Sequence, residues 1–215
     1  MKPVIHQSRT HLSLVLMLVL TVLIVLSGST VFAIPYFINV DTSIYSGTDA
    51  QLAFDLISGG DPSSNTVTIS GFSATGTLGA DGLNRGNASG SLPGTITLST
   101  AGLSFFNEYL KNITLGSKFS FLLDATTNGS GSAFSPDAFS LFILDPSSSS
   151  TLYSTTDPTG ADALLLLNID GSSNGDLSVY DATVSATPVP EPGTAVLLSA
   201  GFLLFFLRLK RESIS

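Results

Sequence analysis

Ala50–Ile57 reads Ala-Gln-Leu-Ala-Phe-Asp-Leu-Ile. Leu52, Phe54 and Leu56 fall on one side of an extended chain, and Gln51 and Asp55 on the other. That is the period-2 signature of a half-buried strand. Outward from it the alternation returns several times. Asn65–Phe72 places Val67, Ile69 and Phe72 on one face, Leu92–Ser99 turns Ile96 and Leu98 inward, and Lys118–Asp124 alternates Phe119, Phe121 and Leu123. Tyr36–Asp41 is a further short strand, and Ala74–Leu78 a weak one. Two nearly continuous apolar runs, Ala138–Asp145 and Asp162–Asp170, read as strands buried on both faces, central in a sheet. Asn168–Asp181 reads as a hairpin about the turn Gly171–Gly175, with the return strand in Asp176–Ala186. Gly59-Gly60-Asp61-Pro62, Asn128–Ser135 and Ser147–Ser150 are turns or loops, and so is the glycine-rich stretch Gly79–Gly90. Leu103–Leu110 alone has helical spacing, with Leu103, Phe106 and Leu110 on one face, so one short helix is expected there. Eight to ten short strands with Gly, Ser and Asp turns predict a mostly β chain, an antiparallel β-sandwich of jelly-roll type. No internal repeat of 20–50 residues is visible.

Both ends differ from this middle. Lys2 and Arg9 precede the apolar run Leu12–Leu26, and Val31-Phe32-Ala33 follows a Ser-Gly-Ser-Thr break. This pattern predicts a secretory signal peptide over residues 1–33, handled by the secretion machinery and cut after Ala33. At the other end a Pro-rich linker begins at Thr187 and leads to Pro190-Glu191-Pro192. The apolar run Ala195–Leu207 follows, and then Arg208, Lys210 and Arg211. As a helix, Gly193–Leu209 spans roughly 25 Å at about 1.5 Å per residue, a little short of a bilayer's hydrocarbon core. The predicted transmembrane segment is 194–207. The three cations behind it act as a stop-transfer cluster and place the C-terminus in the cytoplasm. Two prolines hold the handle in front of the membrane extended and stiff, with one carboxylate displayed.

The combination Pro190-Glu191-Pro192, apolar span and terminal basic cluster resembles the PEP-CTERM sorting signal of exported proteins in Gram-negative bacteria that make exopolysaccharide. The resemblance covers about a tenth of the chain. It implies an inner-membrane precursor processed by an exosortase, a multi-pass membrane enzyme of the cysteine-protease type. Its mature domain would be periplasmic, at the cell surface or extracellular. Ser91-Leu92-Pro93-Gly94-Thr95-Ile96, Phe105-Phe106-Asn107 and Asn168-Ile169-Asp170-Gly171 resemble a group of PEP-CTERM proteins of unassigned activity, which implies a shared fold for residues 34–186. The expected role is an exported structural or matrix protein associated with exopolysaccharide. A glycan- or calcium-binding module at the surface is the alternative.

Composition narrows the chemistry. Between Ile34 and Pro188 stand 14 acidic residues against Arg85, Lys111 and Lys118, a net charge of −11. Nucleic acid and anionic lipid are poor partners for such a surface. There is no Cys, and His6 and His11 both lie in the leader. Hydrolytic triads and zinc sites therefore lack their residues. A glycosidase pair needs two carboxyl groups, yet Glu108 is the only Glu of the domain and most Asp stand in turn contexts, so no enzyme is expected. Asp170, Ser172, Asn174 and Gly175 match positions 1, 3, 5 and 6 of a calcium loop, with Asp181 at position 12. A hairpin turn explains the same residues, and calcium stays open beside it. Asp41, Asp49, Asp61 and Asp157 are acidic loop positions for looser binding. Tyr45, Tyr109 and Tyr153 are the expected exposed stacking platforms for a glycan, most Phe being placed inward. The sequons at Asn87, Asn112 and Asn128 are read as chance in a Ser/Thr-rich chain.

Overall fold

The computed structural model describes residues 35–129, 134–171 and 176–189. The expected signal peptide with Ala33, the expected transmembrane segment, Glu191 with its two prolines, and Arg208, Lys210 and Arg211 lie outside the described residues. Among the described residues no helix is long and apolar enough to cross a membrane.

Twelve strands are described: β1 (Tyr36–Asp41), β2 (Asp49–Ile57), β3 (Thr66–Ala74), β4 (Thr77–Asp81), β5 (Ala88–Gly90), β6 (Ile96–Ser99), β7 (Phe106–Thr114), β8 (Lys118–Ala125), β9 (Asp137–Leu144), β10 (Leu165–Ile169), β11 (Asp176–Val179) and β12 (Val184–Pro188). Sheet one has the order β12-β1-β8-β3-β6-β5 and sheet two the order β11-β10-β9-β2-β7-β4. All their pairings are antiparallel. The pairs β1–β8, β2–β7 and β3–β6 are nested in sequence and alternate between the sheets. β9, β10 and β11 then widen sheet two beyond β2, and β12 widens sheet one beyond β1.

The alternating residues named from sequence meet between the sheets. Ile38, Val40, Ile69, Phe121 and Leu123 of sheet one and Leu52, Phe54, Leu56, Phe139 and Leu141 of sheet two are all at 0 % exposure in one cluster. Phe54 meets Phe121 edge-on across the interface, ring centroids 5.5 Å apart at 81°. Each such side chain contributes roughly 1.5–3 kcal/mol by leaving water.

Four expectations are corrected. Leu103–Leu110 is not a helix: it is a turn running into β7, paired with β2 on one side and β4 on the other. Of the supposed apolar face, Leu103 stands in solvent and Phe106 and Leu110 are only half-buried. The inward positions of β7 are Asn107, Tyr109, Lys111 and Ile113, and two polar residues among the four hide the alternation. The Gly79–Gly90 region holds most of β4 and all of β5, short edge strands that form by backbone pairing and bury almost nothing. β9 and β10 are interior strands as expected, but covered on one face only: Phe142, Leu144 and Leu166 on their outward side are half-buried. Finally, β12 continues past Ala186 to Pro188, pairing Thr187 with Phe37 and Pro188 with Tyr36. Pro188 lacks an N–H and is tolerated because β12 is an edge strand.

Candidate functional site

Register places the chemistry. Asp55 of β2 lies opposite Glu108 of β7 and opposite Ser140 of β9, and Glu108 lies opposite Arg85 through an isolated bridge. β10 adds Leu166 beside Ser140, and β11 adds Ser178 beside Leu166. Directly paired residues share a face, so Ser178, Leu166, Ser140, Asp55, Glu108 and Arg85 form one row across the outer face of sheet two. Across β9, β2 and β7 the neighbouring rows are apolar: Phe142, Ala53 and Leu110 on one side, Ala138, Ile57 and Phe106 on the other.

The two carboxyl groups are crowded and shielded. Glu108 is 9 % exposed. Its Oε2 and Asp55 Oδ1 are buried atoms with no hydrogen-bond donor among the described residues. Arg85 Nε lies 3.5 Å from Glu108 Oε2, but its side chain is mostly solvent-exposed. Burial first and the charge of Glu108 second push Asp55 up to about 7, with Arg85 opposing. Burial likewise raises Glu108 against the pull of Arg85. Unsatisfied buried acceptors of this kind are uncommon in native folds. Chemically the row can hold a proton near neutral pH.

The same face opens into a hollow of about 360 Å³ at one end, lined by Asp49, Thr77, Gly79, Asn112, Thr114 and Pro146 among others. Thr114 Oγ1 donates to Asp49 Oδ1 at 2.7 Å, and Gln51 Nε2 donates to Asn112 Oδ1 at 2.9 Å.

Two other polar clusters are internally satisfied. Asp81 Oδ1 accepts from Lys111 Nζ at 2.7 Å and from the Tyr109 hydroxyl at 2.6 Å, and Ser91 Oγ donates to Oδ2 at 2.8 Å. The bond from Lys111, then that from Tyr109, hold Asp81 down at about 2. Asp137, almost fully buried, accepts from Gly59 N, Asn65 Nδ2 and Thr100 Oγ1 at 2.7–3.0 Å. Both clusters tie loops together.

Of the residues expected to bind calcium, Asp170 and Asp181 are among the described residues. Asp170 and Asp181 stand beyond opposite ends of β11, whose four residues alone span roughly 13 Å at about 3.3 Å each. Ser172 and Asn174 lie outside the described residues. Asp181 Oδ1 accepts from Thr183 N at 2.8 Å and from its hydroxyl. Asp41 does the same for Ser43, Asp157 for Thr159, and Asp61 accepts from Ser63 N. These loop aspartates close their own turns. Among the described residues no group of three or more His, Cys, Asp or Glu is placed to hold a metal ion.

The tyrosine platforms are corrected as well. Tyr109 and Tyr153 are core residues, and Tyr45, packed edge-on against Tyr153 at 4.9 Å, gives its hydroxyl to Leu152 O. Phe106 and Phe142 are half-buried on the outer face of sheet two, and Phe37, Phe105 and Phe134 are exposed. Asp55, Glu108 and Arg85 were hidden in the sequence. The one local signal was Asp55 standing between Ala53 and Ile57 on the outward side of β2. No family model, curated protein or solved structure matches the chain.

Proposed function

We propose that the chain is an exported β-sandwich protein, carried to the envelope by its leader and sorted by its tail, with a structural or interaction role in exopolysaccharide. The tripartite tail carries this reading: Pro190-Glu191-Pro192, a membrane-length apolar run, and Arg208, Lys210 and Arg211. An exosortase would be the processing partner, the membrane contact would run through the tail, and the sandwich would stand outside the inner membrane. The pairing of Tyr36 with Pro188 and the bond from Val189 N to Pro35 O support it. They bring the chain just after Ala33 and just before Pro190 side by side at one end of sheet one, so two cuts there would leave the sandwich whole. The nested strand order supports the jelly-roll assignment. The fold serves as a passenger rather than an enzyme.

Intact mass of the protein recovered from cells and medium tests the proposal. The expected mass lacks residues 1–33 and the tail. Glu191→Ala, or loss of Arg208, Lys210 and Arg211, is expected to leave the tail attached in the membrane. Normal removal of the tail from either variant refutes sorting by this signal. The alternative reading, a binding module, is favoured by the carboxylate row and hollow on sheet two.

A further inference from the structure

Register gathers one set of strand ends at a single pole of the sandwich. In sheet one Tyr36 lies opposite Pro188 and Leu123, Val67 opposite Ala125, and Thr66 opposite Ser99. In sheet two Ile57 lies opposite Phe106 and Ala138, and Ile169 opposite Asp137. Asp137 Oδ2 accepts from Asn65 Nδ2 and Thr100 Oγ1, which joins the two sets of ends. The bond from Val189 N to Pro35 O closes the same pole, so the chain leaves the sandwich there.

Exposed apolar side chains concentrate at that pole. Single ones are ordinary on any surface. Yet all three exposed phenylalanines among the described residues, Phe37, Phe105 and Phe134, belong to this end. Leu103, fully exposed, stands in the turn before β7. Ser58 N donates to Phe105 O, and a Cβ on Gly59 would collide with Ser135 O, so the Phe105 and Phe134 loops flank one short segment. On the outer face of sheet one Phe37 is paired with exposed Leu122, one residue in from Tyr36 and Leu123. The opposite pole presents Ile44 and Val179 beside the turn-closing Asp41, Asp157 and Asp181.

We infer that this pole is a membrane-docking surface: with the tail in the bilayer, Leu103, Phe105 and Phe134 seat in the interface of a zwitterionic membrane, and Phe37 with Leu122 lies at the rim. Chain length selects the partner. Four residues, 190–193, separate Val189 from the span proposed at 194–207, a reach of about 14 Å at most. The polar layer outside the hydrocarbon is roughly 5–8 Å deep on each side. The tether therefore holds this pole, rather than the opposite one, at the lipid surface. The side chains exposed there are phenyl and isobutyl groups, which gain by leaving water. Charge selects the kind of lipid. Asp61, Asp124 and Asp176 stand at this end. Lys118 lies at the far pole, Lys111 is buried and Arg85 faces Glu108. An anionic surface is therefore disfavoured. A second copy docked pole to pole would set the same carboxylates against each other. This inference rests on the membrane span proposed above, and it assigns the surface of the sandwich that the membrane meets.

The chain has no Cys, so one substitution at a time can carry an environment-sensitive nitrobenzoxadiazole label. The full chain bearing Leu103→Cys, Phe105→Cys, Ile44→Cys or Ser199→Cys is labelled and reconstituted in phosphatidylcholine vesicles. The Leu103→Cys and Phe105→Cys labels are expected to shift to the blue and to be quenched by a nitroxide on the upper acyl chain. The Ile44→Cys label is expected to do neither. Leu103, Phe105, Phe134 and Ile44 are all exposed, so these substitutions leave the core intact. Adding Phe105→Ser and Phe134→Ser to the Leu103→Cys chain should remove most of its quenching. The inference falls if both pole labels stay unquenched, if the Ile44→Cys label is quenched as strongly, or if phosphatidylglycerol vesicles quench more than phosphatidylcholine. It falls too if the double Ser variant keeps the quenching, which would mark proximity through the tether alone. A blue shift without quenching would also overturn it, marking contact with a second copy. The Ser199→Cys label separates the two proposals. Quenched while the pole labels are not, it ends this inference alone; unquenched while they are, it ends the membrane-span reading alone.

Discussion

Replacing Asp55 with Asn removes the charge that the outer face of sheet two accommodates worst. In an unfolded chain an Asp titrates near 3.9, whereas shielding and Glu108 lift Asp55 to about 7 in the fold. Between those values the native state holds a proton that the unfolded state has released. Stability therefore falls as pH rises from about 4 to about 7, and the full penalty stands above that. A shift of about three units corresponds to about 4 kcal/mol. Asn resembles the protonated carboxyl: it is neutral, and its amide can donate to the orphaned Oε2 of Glu108. With a modest cost for burying the amide, Asp55→Asn is expected to stabilise the protein by about 2 kcal/mol or more at pH 8 and to change little at pH 4. For a domain of this size that is about 4–8 °C in Tm. Thermal melts of the purified protein and variant in steps from pH 4 to 9 measure it. Arg85→Ala is expected to do the reverse and steepen the fall, because it removes the charge that opposes both shifts. Parallel curves for the parent and Asp55→Asn across the whole range would refute the buried-carboxyl argument.

Three further outcomes follow from the packing. Asp81→Ala strands the buried ammonium of Lys111 and the hydroxyl of Tyr109. A loss of about 2 kcal/mol is expected in urea unfolding, low for a broken buried pair because Asp81 is a third exposed, and Lys111→Met in the same background should recover part of it. Asn65→Ala removes four side-chain hydrogen bonds, to Asn128 N and O, Thr126 Oγ1 and Asp137 Oδ2, and should cost about 3 kcal/mol in the urea midpoint. Phe121→Ala opens a cavity against Phe54 and Phe119 at the middle of the sandwich, and about 3–5 kcal/mol of lost stability is expected from denaturant titration.

Alternation along a strand is a local property, and a single local pattern at Ala50–Ile57 was enough to announce a sheet with one face inward. The inward sets of β2, β3, β6 and β8 could be read residue by residue for the same reason. The pattern failed at β7, where Asn107 and Lys111 occupy inward positions and are satisfied by groups far away in sequence: Asn107 donates to Leu56 O at 3.1 Å, and Lys111 reaches Asp81. It also failed at β4 and β5, which hold their places by backbone pairing and carry little apolar signal.

The proposed leader and tail rest on the chain itself, because a membrane sorts segments by length, hydrophobicity and flanking charge, all of which are consecutive in sequence. The candidate site is of the other kind. Asp55 and Glu108 are 53 residues apart and become neighbours only through the β2–β7 register, and a slip of one residue would turn one of them to the opposite face. Their shielding, their lack of donors and the raised proton affinity of Asp55 depend on what three adjacent strands and Arg85 place around them. Residue order could name the strands whose inward face is apolar, and it carries the proposal for where the chain is sent. Which two carboxylates meet, and between which phenyl groups, followed from strand pairing, because long-range register is a property of the assembled sheet.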